Sequence, residues 1–192
     1  MGNINTRRVL RFFAEHKDEV YSVNQVANIL DINYRIAYQE VQFLREGGHL
    51  SLTKRGNTNL CSFAYRYSGL IVEVEHERIR DLPSDIRMIM ERVDEVLSPF
   101  YMLVLFGSYA RGTQGKGSDI DICLIADQKK VAGQVERVIG LIPLPVHLVT
   151  FSSREFSCML GSRTPNVGNE IAASNIVLKG LEQFYGVVRR AR

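Results

Sequence analysis

One stretch constrains this chain more than any other. It runs Leu103-Val104-Leu105-Phe106-Gly107-Ser108-Tyr109-Ala110-Arg111-Gly112, and Ser118-Asp119-Ile120-Asp121-Ile122-Cys123-Leu124-Ile125 follows. The opening apolar run suits a strand buried on both faces. Gly107-Ser108 turns the chain into a short helix. A glycine-rich loop (Gly112, Gly115, Gly117) then leads to a second strand that begins Asp-x-Asp. Gly107 lets backbone pass close to a phosphate with no Cβ in the way. Ser108 adds a hydroxyl donor, and the helix start beside it offers free N–H groups. Side chains alternate along a strand, so Asp119 and Asp121 share one face while Ile120 and Ile122 enter the core. Two carboxylates about 5 Å apart repel by about 3 kcal/mol at an effective dielectric of 20. Mg²⁺ removes that repulsion and accepts a partial oxygen shell completed by waters and substrate phosphates. The pattern predicts a phosphate-plus-magnesium site.

Gly107, Ser108, Asp119 and Asp121, with the accompanying Ala-Arg-Gly and Ser-Asp, resemble the minimal nucleotidyltransferases of the DNA polymerase beta-like superfamily. The resemblance implies a nucleoside triphosphate, with ATP the expected donor, whose phosphates lie against Gly107 and Ser108, with Ser118 alongside. Asp119 and Asp121 are the implied ligands of Mg²⁺ or Mn²⁺, as two ions. Arg111 and Lys116 are candidates for neutralising phosphate charge, or ordinary exposed charges on the loop. Nucleoside monophosphate would pass to a hydroxyl acceptor, either a small molecule or a protein such as a partner toxin. Active members supply a third carboxylate from a later strand, and this sequence has His147 there, within Leu144–Thr150. His147 could act as a base, ligate a metal, or merely occupy the slot and weaken the second metal. Glu155 and Glu170 are substitutes to consider, although Ser152-x-x-Glu155 reads as a capping box. The rest of the tail predicts a helix through Phe156 and Leu160, a loop over 161–165, a helix over 168–173, a strand over 176–178, and a helix over 181–188. Arg189 to Arg192 is expected to be a solvated tail. That inventory has no room for the base-reading domain of a template-directed polymerase.

The first third reads differently. Apolar spacing predicts a helix over 4–17. Ser22-Val23-Asn24-Gln25 is a capping box opening a helix through Leu30, and a turn spans Asp31 to Tyr34. A longer helix follows, with Ile36, Ala37, Val41 and Leu44 on one face, stopped by Gly47-Gly48. Two short strands, 50–53 and 60–63, flank a basic tip. This order resembles the winged helix-turn-helix family. The resemblance implies Tyr34, Arg35 and Gln39 at DNA base edges, and Lys54, Arg55 and Asn57 on phosphates. Protein docking and dimerisation are the competing uses of such a domain. The net charge of +3 lies wholly in residues 1–68, which hold nine Lys/Arg against six Asp/Glu.

The expected organisation is therefore a winged helix at 1–68, a linker at 69–83 with a strand-like stretch at Ile71, Val72 and Val74, and a nucleotidyltransferase domain at 84–192. A helix from Ser84 is expected to end before Pro99. The fold class is mixed α/β, a mixed sheet with flanking helices behind a small winged-helix domain. No apolar run approaches a membrane span of about 20 residues, and no signal core opens the chain, so a cytoplasmic protein is expected. Cys61, Cys123 and Cys158 lack zinc or disulfide spacing and are expected as small buried hydrophobes. His16, His49 and His76 are expected on the surface. Three functions remain: a nucleotidyltransferase, with or without double-stranded DNA; a DNA-binding transcriptional regulator whose second half senses a ligand; and a pure interaction module. A symmetric homodimer is the expected assembly, from the way winged helices usually work.

Overall fold

The computed structural model describes residues 3–56, 58–96, 101–162 and 164–191. The chain forms two compact units, Met1–Glu75 and His76–Arg192.

In the first unit, α1 (Ile4–Glu15), β1 (Val20–Ser22), α2 (Val23–Ile29), α3 (Tyr34–Glu46), β2 (Leu50–Arg55) and β3 (Thr58–Phe63) precede α4 (Gly69–Arg80), within which the division falls. The Ser22 capping box forms as expected. Ser22 Oγ accepts from the Gln25 N–H at 3.3 Å, and Gln25 Oε1 accepts from the Ser22 N–H at 2.8 Å. Val9, Leu10 and Phe13 of α1 are buried, as are Val26 and Ala27 of α2 and Ala37, Val41 and Leu44 of α3. Ile36 is not on that face. It lies one residue, about 100° of helix, from Ala37 and is exposed, and Glu40 takes the inward position. That buried carboxylate is satisfied: Thr6 Oγ1 donates to it at 2.7 Å and Asn3 Nδ2 at 2.8 Å.

The antiparallel sheet has the order β1-β3-β2, and β1 was not legible in the sequence. Register holds out to Arg55↔Thr58, so Lys54 and Arg55 are strand residues rather than loop residues. Asn57 lies outside the described residues. The expected strand at Ile71, Val72 and Val74 is instead helix α4. Its buried residues are Ile71, Val74, Glu75 and Arg78, an i, i+3, i+4, i+7 stripe whose charged members hide the period. Glu75 forms an ion pair at 3.1 Å with Lys17, and both side chains are fully buried. His49 is buried too, against expectation, with Nε2 3.2 Å from Ser68 Oγ.

The second unit contains α5 (Ser84–Val93), β4 (Met102–Phe106), α6 (Gly107–Arg111), β5 (Ile120–Ile125), α7 (Lys129–Gly140), β6 (Val146–Phe151), α8 (Ser153–Leu160), α9 (Val167–Ala173), β7 (Ile176–Lys179) and α10 (Leu181–Ala191). The expected end of α5 at Pro99 lies outside the described residues. The sheet is mixed, in the order β6-β5-β4-β7: β5 and β6 are parallel and the other pairs antiparallel. Leu103, Leu105, Ile120, Ile122 and Leu124 share a core with Ile86 and Ile89 of α5 and Val131, Val135 and Ile139 of α7. The alternate face carries Val104 and Cys123, also buried, while Phe156 of α8 and Phe184 of α10 meet with tilted rings, centroids 5.8 Å apart, in the helical layer containing α9. Helices on both faces explain why β4 is apolar at every position.

Helix α7 was missed, although Val131, Val135 and Ile139 recur every four residues. Arg189 and Arg190 belong to the last turn of α10 rather than to a free tail, where their charge suits the helix C-terminus. Cys61 and Cys123 are buried as expected, and burial pushes their thiols up to about 11 and about 12. Cys158 is exposed on α8, contrary to expectation.

Candidate functional site

The central strands β4 and β5 bring the sequence motif together at one end of the sheet. Phe106 pairs with Asp121, so the turn after Phe106 lies beside the start of β5. Gly107 makes that turn with φ +69, a left-handed conformation that L side chains rarely adopt. Its lack of a side chain has a second cause. A Cβ at Gly107 would overlap Asp121 Oδ2 and lie 2.9 Å from Asp121 Cγ. The glycine thus makes room for the carboxylate, whereas the sequence suggested only room for phosphate. Gly112, at φ +67, ends α6 and releases the chain into the loop that returns to Asp119.

On the other side of β5, the parallel register places Asp121 opposite His147. Their side chains meet, His147 Nδ1 to Asp121 Oδ1 at 3.1 Å. An ionised carboxylate only accepts, so in this contact Nδ1 carries the hydrogen. His147 is 61% exposed at its side chain and Asp121 27%. Asp119 is exposed and immediately precedes β5, which begins at Ile120.

Ser108 is half-buried in the first turn of α6. The Ser118 hydroxyl accepts from the Gly115 N–H at 2.9 Å, which folds the loop, and Lys116 is exposed on that loop. Arg111 is exposed, with Nη1 3.8 Å from Glu170 Oε1 of α9. Glu170 therefore reaches the Gly107 end of the sheet as the counter-charge of Arg111, a pairing the sequence did not reveal. Glu155 does not reach it. It caps α8 beyond the far end of β6, accepting from the Ser152 N–H at 2.8 Å, and that hydrogen bond holds its carboxyl below the usual range.

Among the described residues no group of three or more His, Cys, Asp or Glu side chains is placed to hold a metal ion. Mg²⁺ commonly takes one or two carboxylates and fills its shell with water and phosphate; Asp121 beside the Gly107 turn and the exposed Asp119 just before β5 are carboxylates of that kind. A separate cavity of about 690 Å³ lies at the opposite end of the sheet, lined by Tyr101, Met102, Ile125, Asp127 and Arg190 among others.

In the first unit Tyr34, Arg35 and Gln39 are all exposed on α3. The ring of Tyr34 stacks on that of Tyr38, centroids 6.3 Å apart, adding an exposed aromatic that i,i+4 spacing would have found. Lys54 and Arg55 are exposed at the end of β2.

The family-model comparison falls on the second unit. Residues 86–167 match the family model of the nucleotidyltransferase domain. The match takes in β4, α6, β5, α7 and β6, and so the Gly107, Asp121 and His147 cluster. It supports nucleotidyl transfer as the general reaction class. A solved structure described as "Crystal structure of the toxin-antitoxin with AMP-PNP" aligns at 19% identity and a TM-score of 0.38, covering 56% of this chain and 82% of that chain. No curated protein matches the chain. Among the described residues no helix is long and apolar enough to cross a membrane.

Proposed function

We propose that the second unit is a Mg²⁺-dependent nucleotidyltransferase that moves a nucleoside monophosphate from a nucleoside triphosphate, ATP by expectation, to a hydroxyl acceptor. The observation that carries this reading is the packing of Asp121 against Gly107, which sets a carboxylate directly beside the backbone turn expected to receive phosphate. The N–H groups at Gly107 and Ser108, with the Ser108 hydroxyl, hold phosphate oxygens. Arg111 and Lys116 neutralise their charge. Asp119 and Asp121 hold Mg²⁺ (Mn²⁺ being the alternative), which when bound supplies positive charge to the triphosphate as the transition state forms. The acceptor oxygen forms a bond to the α-phosphorus and gives up its proton to solvent, while the bond from that phosphorus to the oxygen shared with the β-phosphate breaks, and pyrophosphate leaves. The acceptor is either a small molecule or a protein. His147, oriented by Asp121, faces the solvent side of the cleft where that acceptor would arrive. The test is transfer of label from an α-labelled nucleoside triphosphate set in the presence of cell lysate. Labelled product should vanish in Asp119→Ala/Asp121→Ala, and equal labelling in that variant would defeat the proposal.

A second reading is favoured by the exposed face of α3. Tyr34, Arg35, Tyr38 and Gln39 form one contiguous strip of ring and hydrogen-bonding groups, as expected of a winged helix-turn-helix that enters a major groove. On this reading the protein is a DNA-binding regulator, as a homodimer, whose second unit senses a nucleotide. The two readings are compatible in one molecule. Duplex binding should fall by about 0.9 log units per neutralised phosphate for each log unit of salt, and Arg35→Ala should weaken it. Flat, salt-insensitive binding by the wild-type chain would remove the DNA role.

A further inference from the structure

We propose that the free edge of β6 pairs with β6 of a second copy of this chain, extending the sheet across a two-fold axis at Leu148. The sheet order puts β6 at one end and β7 at the other. The Ile120 N–H donates to the Pro145 carbonyl at 2.8 Å, and the Ala126 N–H to the Phe151 carbonyl at 2.9 Å. Alternation along the strand then turns the odd-numbered backbone groups of β6 towards β5, and those of Val146, Leu148 and Thr150 outward. The Val146 N–H is taken by the Leu144 carbonyl at 2.8 Å. Leu148 and Thr150 keep outward N–H and carbonyl groups that no strand among the described residues meets.

The two edges differ in how they are guarded. Strand β7 has four residues, carries Lys179 and pairs with β4 across a register shift. Short length, lysine and irregular pairing are common bars to strand addition. Strand β6 has none of them. Its six residues, Val-His-Leu-Val-Thr-Phe, run in unbroken register with β5 and include no Lys, Arg, Asp or Glu. Helix α7 leaves the same side open. Glu136 of α7 accepts from Thr150 Oγ1 at 2.8 Å, which sets that flank of the helix beside the β6 edge. Gly133 lies three residues earlier, on the same flank. A glycine inside a helix weakens it. Among the described residues nothing demands one here: the backbone is not left-handed, and a Cβ would meet nothing within 4 Å. Bare backbone at that point suits the close approach of a neighbouring molecule.

The pattern of free groups selects a second copy as the neighbour. Antiparallel pairing about Leu148 sets Leu148 against its own equivalent, and Thr150 against Val146 of the partner copy. The two Leu148 N–H groups then donate to each other's carbonyls, and each Thr150 N–H donates to a Val146 carbonyl. All four outward donors find acceptors, while Val146, whose own N–H is already used, needs only to accept. Charge agrees. His147, the one ionisable residue of β6 apart from none of opposite sign, faces Val149 of the partner copy rather than another histidine. That valine stands beside the His147–Asp121 contact, so each copy walls the β6 side of the other's cleft.

The test uses the full chain without nucleotide. Sedimentation equilibrium over a concentration series reads the mass, and amide hydrogen exchange at high and low protein concentration reads the edge. The wild type should dimerise, with exchange at Leu148 and Thr150 slowing as the dimer fills. Thr150→Pro removes one outward donor from each copy and no hydrogen bond to β5, and should raise the dissociation constant by about 10–100-fold. Gly133→Arg puts a good helix former into open space, so it should unfold no lower than the wild type and still weaken the dimer. A wild type that stays monomeric at every concentration would overturn the proposal. So would a dimer in which neither amide gains protection, because its interface lies elsewhere. Undiminished dimerisation by either variant, with native circular dichroism, would overturn it as well.

Discussion

Replacing Gly107 by alanine perturbs the cleft at the point where backbone and carboxylate meet. The backbone there has φ +69, and placing an L residue in that region costs about 1–2 kcal/mol. For a unit of this size such a cost lowers the unfolding temperature by about 4–8 °C. The new methyl adds a second effect. It would lie 2.9 Å from Asp121 Cγ and 3.1 Å from Asp121 Cβ, inside ordinary contact, so the Asp121 side chain has to swing by about 1 Å or rotate away from His147. A displacement of that size at a reacting centre lowers rate by about 100-fold. The assay is a double-mutant cycle. Gly107→Ala, Asp121→Ala and the double variant are compared by thermal unfolding, and Gly107→Ala is also measured for label transfer. Truncating Asp121 removes the two atoms nearest the methyl and leaves only the Cβ at 3.1 Å, so the double variant should be more stable than additivity predicts by about 0.5–3 kcal/mol. A strictly additive cycle, or a Gly107→Ala protein with wild-type stability and turnover, would refute the reasoning.

Other consequences follow from the same structure. Lys17 and Glu75 are paired at 3.1 Å with no exposed side-chain surface, so Glu75→Ala should cost about 3–5 kcal/mol in denaturant unfolding. Lys17→Met/Glu75→Leu should cost less than Glu75→Ala, because it removes both charges of the pair together. Burial, and then Arg66, hold His49 below the ordinary histidine range. The unfolded chain therefore binds the proton more readily, and stability should fall as pH drops below about 6.5 towards the lower folded-state value. His49→Gln should flatten that part of the stability–pH curve, which equilibrium denaturation at a series of pH values would measure. Cys158 is exposed while Cys61 and Cys123 are buried with thiols raised to about 11 and about 12. An aromatic disulfide reagent should thus titrate one thiol in the native protein and three after denaturation; three fast-reacting thiols in the native state would contradict the packing of β3 and β5.

How much of this was legible in advance depended on whether a residue's role is local. The strand–turn–strand motif could be read because β4 is apolar throughout and Asp-x-Asp alternates with isoleucine, both direct marks of a central strand. The Ser22 and Ser152 capping boxes were legible for the same reason: each closes over four consecutive residues. Helix α4 was misread because Glu75 and Arg78 occupy inward positions that only a distant partner makes tolerable. For Glu75 that partner is Lys17, 58 residues away. Glu40 in place of Ile36 has the same origin, since Thr6 and Asn3 satisfy it from another helix. In the cleft, the need for glycine at 107 was predicted but its main cause was not, because the obstruction comes from a side chain on the neighbouring strand. The contact between His147 and Asp121 depends on a parallel register that no local pattern states.

The central claim is that nucleotide phosphate is received where β4 turns into α6 beside Asp121. Its most direct test is backbone amide chemical-shift mapping of the full chain with a Mg²⁺-bound, non-hydrolysable nucleoside triphosphate analogue. The account predicts saturable shifts concentrated at Gly107, Ser108, Arg111 and residues 116–121. Shifts confined to the cavity at the other end of the sheet, around Tyr101, Asp127 and Arg190, would contradict it.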